Sequence, residues 1–347
     1  MNRIAQLIRT LSDIPGVSGC EDAVRAQIAA LIKDSADTLH TDALGNLIAF
    51  KKGAKSPKNR IMLSAHMDEV GLIITHIEDD GLLRFDTVGG IDGRVMLGKR
   101  VEVGPGRLPG VIGGAAPHHL TEKEKETLPA PDKLFINIGA QNKQQAEQHV
   151  SIGERTVFGA QFTELGFESK RIMGRALDNR AGCALLVELI NSPLPYDCHF
   201  TFTVQEESGC TGAATVAYMA PSDVVIVVET TTAADIQGTS EAEQICKLGG
   251  GPVVSYMDKR TLYDKALYDL AFETAAKNGI SCQTKTAVVG GNDAGSIQQA
   301  GGGARVLAVS LPCRYLHSPL LMVDKDDVAQ TYRLLFELIG AIDHCEL

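Results

Sequence analysis

Apolar and polar positions alternate in different ways along this chain, and these patterns predict its secondary structure. Near both ends, apolar residues recur every three or four positions, as in 4–11 and 325–342, which is typical of amphipathic helices. Other segments are continuous apolar runs such as 224–228, which are typical of strands buried on both faces. Further helices are predicted over 24–32, 178–190, 211–219 and 262–277, and further strands over 41–50, 199–204, 305–311 and from residue 61. This alternation predicts an α/β domain with a mainly parallel sheet and helices on both faces.

The middle of the chain, from about 70 to 166, has a different pattern. Short β-like runs at 71–75, 82–85, 100–103, 110–113 and 134–138 are separated by glycine-rich turns. Such spacing predicts a small barrel or sandwich. A short helix is predicted near 143–149, and the charged stretch 118–132 is interpreted as a solvated loop rather than a metal site at His118-His119. We therefore expect residues 1–68 and 165–347 to form one catalytic α/β domain, with residues 69–164 inserted as a β domain.

Composition and charge narrow the class of protein. The chain has 347 residues, of which 44% are apolar, so it can bury a large core. A net charge of -10 without a basic run argues against nucleic acid or an anionic membrane as the main partner. We expect no signal peptide and no membrane span. The eight cysteines include no C-x-x-C pair, which favours reduced thiols and a cytoplasmic protein over a disulfide framework.

The stretch 61–71, I-M-L-S-A-H-M-D-E-V-G, carries the first candidate chemistry. An apolar run that ends in polar side chains indicates a buried strand that delivers a site at its carboxyl end. His66 and Asp68 are two positions apart, so on a continuing strand they would share a face. A carboxylate behind a histidine fixes its tautomer and strengthens its metal-ligating nitrogen.

Similar polar residues follow other apolar runs. In a parallel sheet such strand ends meet at one edge, where two histidines and three carboxylates would suit two divalent ions ~3.5–4 Å apart that share one carboxylate. Mixed nitrogen and oxygen ligands fit Zn, Co or Mn. Metal hydrolysis also needs a free carboxylate that takes a proton from water, and an adjacent pair of glutamates could supply both a ligand and this base. The candidates are Asp178, Glu206, Glu207, Glu229 and His317.

Each of these residues also has a structural interpretation. Asp178 could be a helix N-cap, Glu206-Glu207 a solvated strand end, Glu229 the partner of a lysine, and His317 a turn residue. Their predicted position at a single edge of one sheet favours the metal site over these separate explanations.

Five motifs in order then identify a resemblance that runs over nearly the whole chain. They are S-A-H-M-D-E-V-G, A-L-D-N-R-A-G, Q-E-E-S-G-C-T-G-A, G-G-N-D-A-G and R-Y-L-H-S-P. The chain resembles the tetrahedral aminopeptidases, dinuclear metallopeptidases that include glutamyl and deblocking aminopeptidases and relatives named endoglucanase. The resemblance implies removal of single amino acids from peptide N-termini with two Zn or Co ions. It also implies assembly through the inserted domain into dimers and commonly a tetrahedral dodecamer.

The resemblance further implies a role for each matching residue. Asp178 would bridge the two metals. Glu207 and His317 would complete one metal site, and His66 and Glu229 the other. In addition, the resemblance makes Asp68 the residue that orients the histidine and Glu206 the general base.

Two departures from the family pattern concern the metal and the substrate. Glu229 stands where an Asp is expected, and Asn292 where a Thr is common. Lys259 and Arg260 could favour acidic substrates or could lie on the surface. The alternatives to an aminopeptidase are a carboxypeptidase or N-deacylase with the same ligands, and a non-catalytic shell protein.

Overall fold

A computed structural model describes residues 2–122, 126–127, 129–166 and 170–343. The helices are α1 (Asn2–Ser12), α2 (Asp22–Ile32), α3 (Lys143–Glu147), α4 (Leu177–Ile190), α5 (Ala213–Met219), α6 (Lys265–Lys277), α7 (Ala294–Ile297) and α8 (Lys325–Ile342). The strands up to the middle of the chain are β1 (Thr38–Thr41), β2 (Leu47–Lys51), β3 (Ile61–His66), β4 (Gly71–Ile77), β5 (Leu83–Val88), β6 (Arg100–Val103), β7 (Leu108–Gly113), β8 (Phe135–Asn137) and β9 (Arg155–Phe158). The remaining strands are β10 (Thr163–Leu165), β11 (Arg171–Gly174), β12 (Cys198–Thr203), β13 (Val224–Thr232), β14 (Val253–Val254), β15 (Gln283–Thr284), β16 (Arg305–Cys313) and β17 (Leu321–Asp324).

The large sheet has eight strands in the order β1-β2-β12-β3-β13-β16-β14-β15. Its centre, β12-β3-β13-β16, is parallel, whereas β1, β2 and β14 pair antiparallel toward the edges. Helices α1, α2, α4, α6 and α8 pack on one face and α5 and α7 on the other. The predicted α/β architecture is confirmed, and the continuous apolar runs are the central strands because these are covered on both faces.

The inserted segment forms a closed six-stranded barrel, β4-β5-β8-β7-β6-β9, with a hydrophobic core of its own. The predicted small barrel is therefore confirmed. The sequence interpretation missed β9, the strand that closes the barrel by pairing with both β4 and β6. The domain limits at 69 and 164 stay a prediction. His118 and His119 lie in a 3-10 turn, and residues 123–125 and 128 of the same charged loop lie outside the described residues.

Several local predictions were wrong. Residues 41–50 are not one strand, because β1 and β2 form a hairpin with a turn at 42–46. The apolar run before Asp178, which was expected among the parallel strands, is β11 and belongs instead to a three-stranded sheet with β10 and β17. Glu229 does not end its strand, since β13 continues to Thr232.

Ser18 and Glu21 have the spacing of a capping box, which predicts a cap at the start of α2, but this cap does not form. Glu21 is the N-cap residue but makes no side-chain cap. The Ser18 hydroxyl instead donates to Asp68, and Glu21 accepts from the Gly19 backbone N–H. Asp68 is completely buried, and because an unpaired buried charge is costly, its carboxylate takes the serine hydroxyl.

The described cysteines carry free thiols, and Cys345 lies outside the described residues. Among the helices in the described part of the chain, none has the length and apolar content to cross a lipid bilayer.

Candidate metal centre

The predicted site residues lie together at the carboxyl edge of the central strands. This edge consists of the ends of β3 and β12, the carboxyl-terminal half of β13, the start of α4 and the connection between β16 and β17. A cavity of about 620 Å³ opens there. Its lining includes His66, Asp178, Glu206, Glu207, Glu229 and His317.

Asp178 lies between the two histidines. Its Oδ1 is 3.4 Å from His66 Nε2 and its Oδ2 is 3.5 Å from His317 Nε2. His66 Nε2 is also 3.3 Å from Glu229 Oε1, and His317 Nε2 is 3.4 Å from Glu207 Oε2. Two groups of donor atoms therefore share one carboxylate, which could hold one cation on each side.

The charges at this edge are unbalanced. Burial raises the pKa of Glu207, and that of Glu229 to about 7, although His66 opposes both shifts. Burial would lower the pKa of His66, but Glu229 and Asp178 hold it well above its ordinary value. Burial would raise the pKa of Asp178, but His317 and His66 lower it. Carboxylates outnumber imidazoles, so the donor set fits divalent cations that would neutralise the surplus.

Asp68 connects one histidine to the glutamate pair. It is completely buried, and its Oδ1 is 3.4 Å from His66 Nδ1. The same carboxylate accepts the backbone N–H groups of Glu206 and Glu207, each at 3.0 Å, and the Ser18 hydroxyl at 2.5 Å. Burial would raise its pKa, but the contacts with His66 and Ser18 lower it, so the carboxylate is charged. Asp68 thus holds the histidine ring and both glutamates in fixed relative positions.

The Glu206 carboxylate belongs to neither of the two groups of donor atoms around Asp178. It lies in the turn beyond β12 and lines the cavity. Burial raises its pKa well above the ordinary value, Glu229 and Asp293 add to this, and His66 opposes it. A carboxylate with a raised pKa that is not held by a histidine is suited to accept and release a proton.

Sequence reasoning missed residues that support the site from behind. Asn46 accepts the Val204 N–H at 2.9 Å and donates to Gly212 O at 3.0 Å, which ties down both ends of the loop that carries the glutamates. Asn179 Nδ2 donates to Val228 O at 2.7 Å, next to Glu229. Asn179 lies inside the motif A-L-D-N-R-A-G, which was the available signal, whereas Asn46 lies in the turn between β1 and β2.

The fully buried Arg180 is a further supporting residue. Its Nε donates to Met67 O at 2.6 Å and its Nη1 to Leu11 O at 2.6 Å. The arginine thereby joins the end of α1 to the residue that follows His66. Only the tertiary structure identifies these carbonyl partners.

The backbone at the site is strained. Ala176, Gln205 and His317 have φ values of 54°, 58° and 55°, in the left-handed region that side chains disfavour. Each is a site residue or lies within two positions of one. Such strain persists where the surrounding contacts impose it, and it is concentrated at functional sites.

Glu229 and Asn292, the two departures from the family pattern, line the same cavity as three basic side chains. Asn292 donates to the Tyr263 hydroxyl at 3.1 Å and accepts the Ala294 N–H at 2.9 Å. Lys285 is buried and donates to Val289 O at 2.9 Å. Lys259 and Arg260 also line the cavity. A cavity that contains metal-ligating groups and several positively charged side chains can bind an anionic part of a ligand.

Known proteins are similar to this chain over most of its length. Residues 45–334 match the M42 glutamyl aminopeptidase family. FrvX of Escherichia coli (strain K12) is 38% identical over 341 residues, covering 96% of this chain and 93% of FrvX. Aminopeptidase APDkam598 from the archaeon Desulfurococcus kamchatkensis superposes with a TM-score of 0.92 at 33% identity, covering 97% and 94% of the two chains.

A third relative is the TET1 peptidase of Pyrococcus horikoshii, whose solved structure has a TM-score of 0.85 at 35% identity. The match covers 97% of this chain and 99% of that one. The expected resemblance is confirmed, and the chain belongs to the M42 glutamyl aminopeptidase family of peptide hydrolases.

Proposed function

We propose that this protein is an aminopeptidase that uses two divalent metal ions. His66 and Glu229 would hold one ion, Glu207 and His317 the other, and Asp178 both. The observation that carries this proposal is that the two oxygens of Asp178 face different histidines, at 3.4 and 3.5 Å. One carboxylate between two nitrogen ligands is the arrangement that a two-metal hydrolase requires.

The remaining groups have separate tasks. When bound, the metal ions polarise the scissile carbonyl and lower the pKa of water. The Glu206 carboxylate takes a proton from the attacking water and donates it to the departing amine nitrogen. Asp68 is a positioning residue that orients His66 and the glutamate backbone. The family match and relatives named lysyl and glutamyl aminopeptidase favour an aminopeptidase over a carboxypeptidase with the same ligands.

The metal is Zn or Co in this proposal, and Mn also fits the mixed nitrogen and oxygen ligands. The test is release of the chromophore from aminoacyl anilides after chelation and readdition of each metal. We expect no activity in the stripped protein and recovery with at least one of these ions. N-acetylated aminoacyl anilides and C-terminal substrates are the controls. Activity that survives chelation, or that requires a blocked N-terminus, would contradict the proposal.

We also propose that the cavity prefers an acidic N-terminal residue, because the buried Lys285 lines it together with Lys259 and Arg260. Replacing Lys285 by Met should lower kcat/KM for a glutamyl anilide by about 10–100-fold, since a hydrogen bond to a charged group contributes about 1.5–3 kcal/mol. The rate with a leucyl anilide should change much less. Lys247→Met, at an exposed lysine outside the cavity, is the matched control. Equal losses on both substrates would contradict a role in specificity.

Self-association through the barrel is a further part of the proposal. The barrel exposes Leu97, Val111 and Ile152, whose relative exposures are 50%, 42% and 65%. The TET1 peptidase of Pyrococcus horikoshii can assemble into a tetrahedron or a large octahedral shell, and this property of a relative supports assembly here. The free thiols support a cytoplasmic location.

The combined variant Leu97→Glu/Ile152→Glu should lower the particle mass measured by light scattering. If the barrel forms an apolar interface, the two new glutamates would be buried there without partners and would oppose association. Tyr218→Glu, at an exposed residue of α5 outside the barrel, is the control. An unchanged mass in the barrel variant, together with a smaller mass in the control, would place the interface elsewhere.

A further inference from the structure

A second group of metal-ligating side chains lies next to the proposed catalytic centre. Glu206, Cys210 and Asp293 each offer one ligand atom, and these atoms all lie within 4.8 Å of one another. Cys210 and Asp293 are 4% and 1% exposed. Neither is among the five proposed ligands of the catalytic metals, so this group needs a separate explanation.

The chain brings the first two ligands together through a single turn. The Cys210 N–H donates to Glu206 O at 2.9 Å, and Cys210 Sγ lies 3.6 Å from Glu206 Oε1. With a Zn–S bond of about 2.3 Å and a Zn–O bond of about 2.0 Å, a tetrahedral site has sulfur and oxygen about 3.5 Å apart. The pair is therefore already at the separation that a shared zinc ion requires.

Asp293 supplies an independent indication of a ligand. Its Oδ2 accepts the Thr203 hydroxyl at 2.6 Å. The Cys210 thiol approaches this carboxylate, but the Oδ1 atom is shielded from solvent and accepts no hydrogen bond of good geometry among the described residues. Buried polar atoms nearly always have a partner, because leaving one unpaired is costly. A cation between this carboxylate, the thiol and Glu206 would satisfy the free oxygen.

The chemistry of the group selects among cations. A thiolate is a soft ligand, which favours Zn²⁺ or Cd²⁺ over Mn²⁺. Arg260 Nη1 lies 2.7 Å from Cys210 Sγ and would donate to the thiolate, as groups around metal ligands commonly do. One divalent ion together with this guanidinium would balance the three anionic ligands. The open side of the group faces the cavity, since Glu206, Cys210 and Arg260 all line it.

We propose that Glu206, Cys210 and Asp293 form a third, inhibitory metal site that takes a thiophilic divalent ion, zinc in excess or cadmium. An ion at this site occupies the Glu206 oxygens and prevents proton transfer to and from that carboxylate. The inhibitory effect rests on the proposed function of Glu206, whereas the binding of the ion does not. Zinc would then serve the catalytic centre at low concentration and inhibit at high concentration.

Binding is tested by titrating Cd²⁺ into the cobalt-loaded protein and recording thiolate-to-cadmium charge-transfer absorption in the ultraviolet. The five proposed catalytic ligands include no sulfur, so the band reports a cysteine site. We expect a band that saturates at one equivalent, is lost in Cys210→Ser and is weakened in Asp293→Asn. Cys282→Ser, at a partly buried thiol that does not line the cavity, should behave like the wild type. No band in the wild type, or an equal band in Cys210→Ser, would overturn the site.

Inhibition is tested by adding Zn²⁺ or Mn²⁺ to each cobalt-loaded variant and dividing its activity by its own rate without addition. Half-inhibition by zinc should require at least 10-fold more ion in Cys210→Ser than in the wild type, and manganese should inhibit neither. Equal sensitivity to zinc would overturn the inhibitory role. If Cys210→Ser does not unfold cooperatively, Asp293→Asn carries the same comparison. A band that depends on Cys210 in a protein without peptidase activity would retain the site and reject the proposed function.

Discussion

Replacing Glu206 by Gln should reduce turnover by about 10²–10⁴-fold, the usual contribution of a general acid–base group. The amide has nearly the same size as the carboxylate but cannot accept the proton of the attacking water. Glu206 is not one of the carboxylates that face a histidine nitrogen within 3.5 Å, so the variant should keep its metal ions. The measurements are kcat with an aminoacyl anilide and metal content after gel filtration.

The neighbouring residue provides the matched control for this prediction. Glu207→Gln changes an oxygen that lies 3.4 Å from His317 Nε2, so it should lose metal as well as activity. The two adjacent variants should therefore be equally slow but differ in metal content. A fully active Glu206→Gln protein would remove this residue from the mechanism, and loss of cobalt from the two catalytic sites in that variant would make it a catalytic ligand instead of the base.

Replacing Asp178 by Asn should weaken the binding of both metal ions. This residue is the proposed shared ligand, and its amide analogue carries no charge and only one acceptor oxygen. We expect bound metal to fall from two equivalents to less than one, and kcat/KM to fall by roughly 100-fold or more. Metal analysis of dialysed protein and anilide kinetics with added cobalt measure the two effects. Asp86→Asn, at an exposed residue of the barrel, should change neither. An Asp178→Asn protein with two tightly bound ions would contradict a bridging role.

The meeting of the candidate ligands could be predicted because it depends on a regular feature of the fold. Parallel strands deliver their carboxyl ends to one edge, and His66, Glu207 and Glu229 follow or lie in such strands. The structure also bears on the structural interpretations of Asp178 as a helix N-cap and of Glu229 as the partner of a lysine. The N-cap position of α4 is Ala176 rather than Asp178, and Glu229 faces His66 rather than a lysine. The roles of these residues in catalysis stay a prediction.

Three features could not be predicted from the sequence, because each depends on contacts between residues that are distant along the chain. Ser18 followed by Glu21 is a local signal for a helix cap, but the buried Asp68, fifty positions away, takes the serine hydroxyl. Arg180 looked like an ordinary helix residue, yet it is fully buried because backbone carbonyls from two other segments accept its donors. Strand β9 is short, and its identity comes from the two strands that it joins in the barrel.

Anomalous diffraction from cobalt-loaded crystals tests the proposed centre most directly. We predict two ions about 3.5–4 Å apart on either side of the Asp178 carboxylate, one bound by His66 and the other by His317. A single ion at this edge, or a His317 ring that binds no metal, would contradict the two-metal centre.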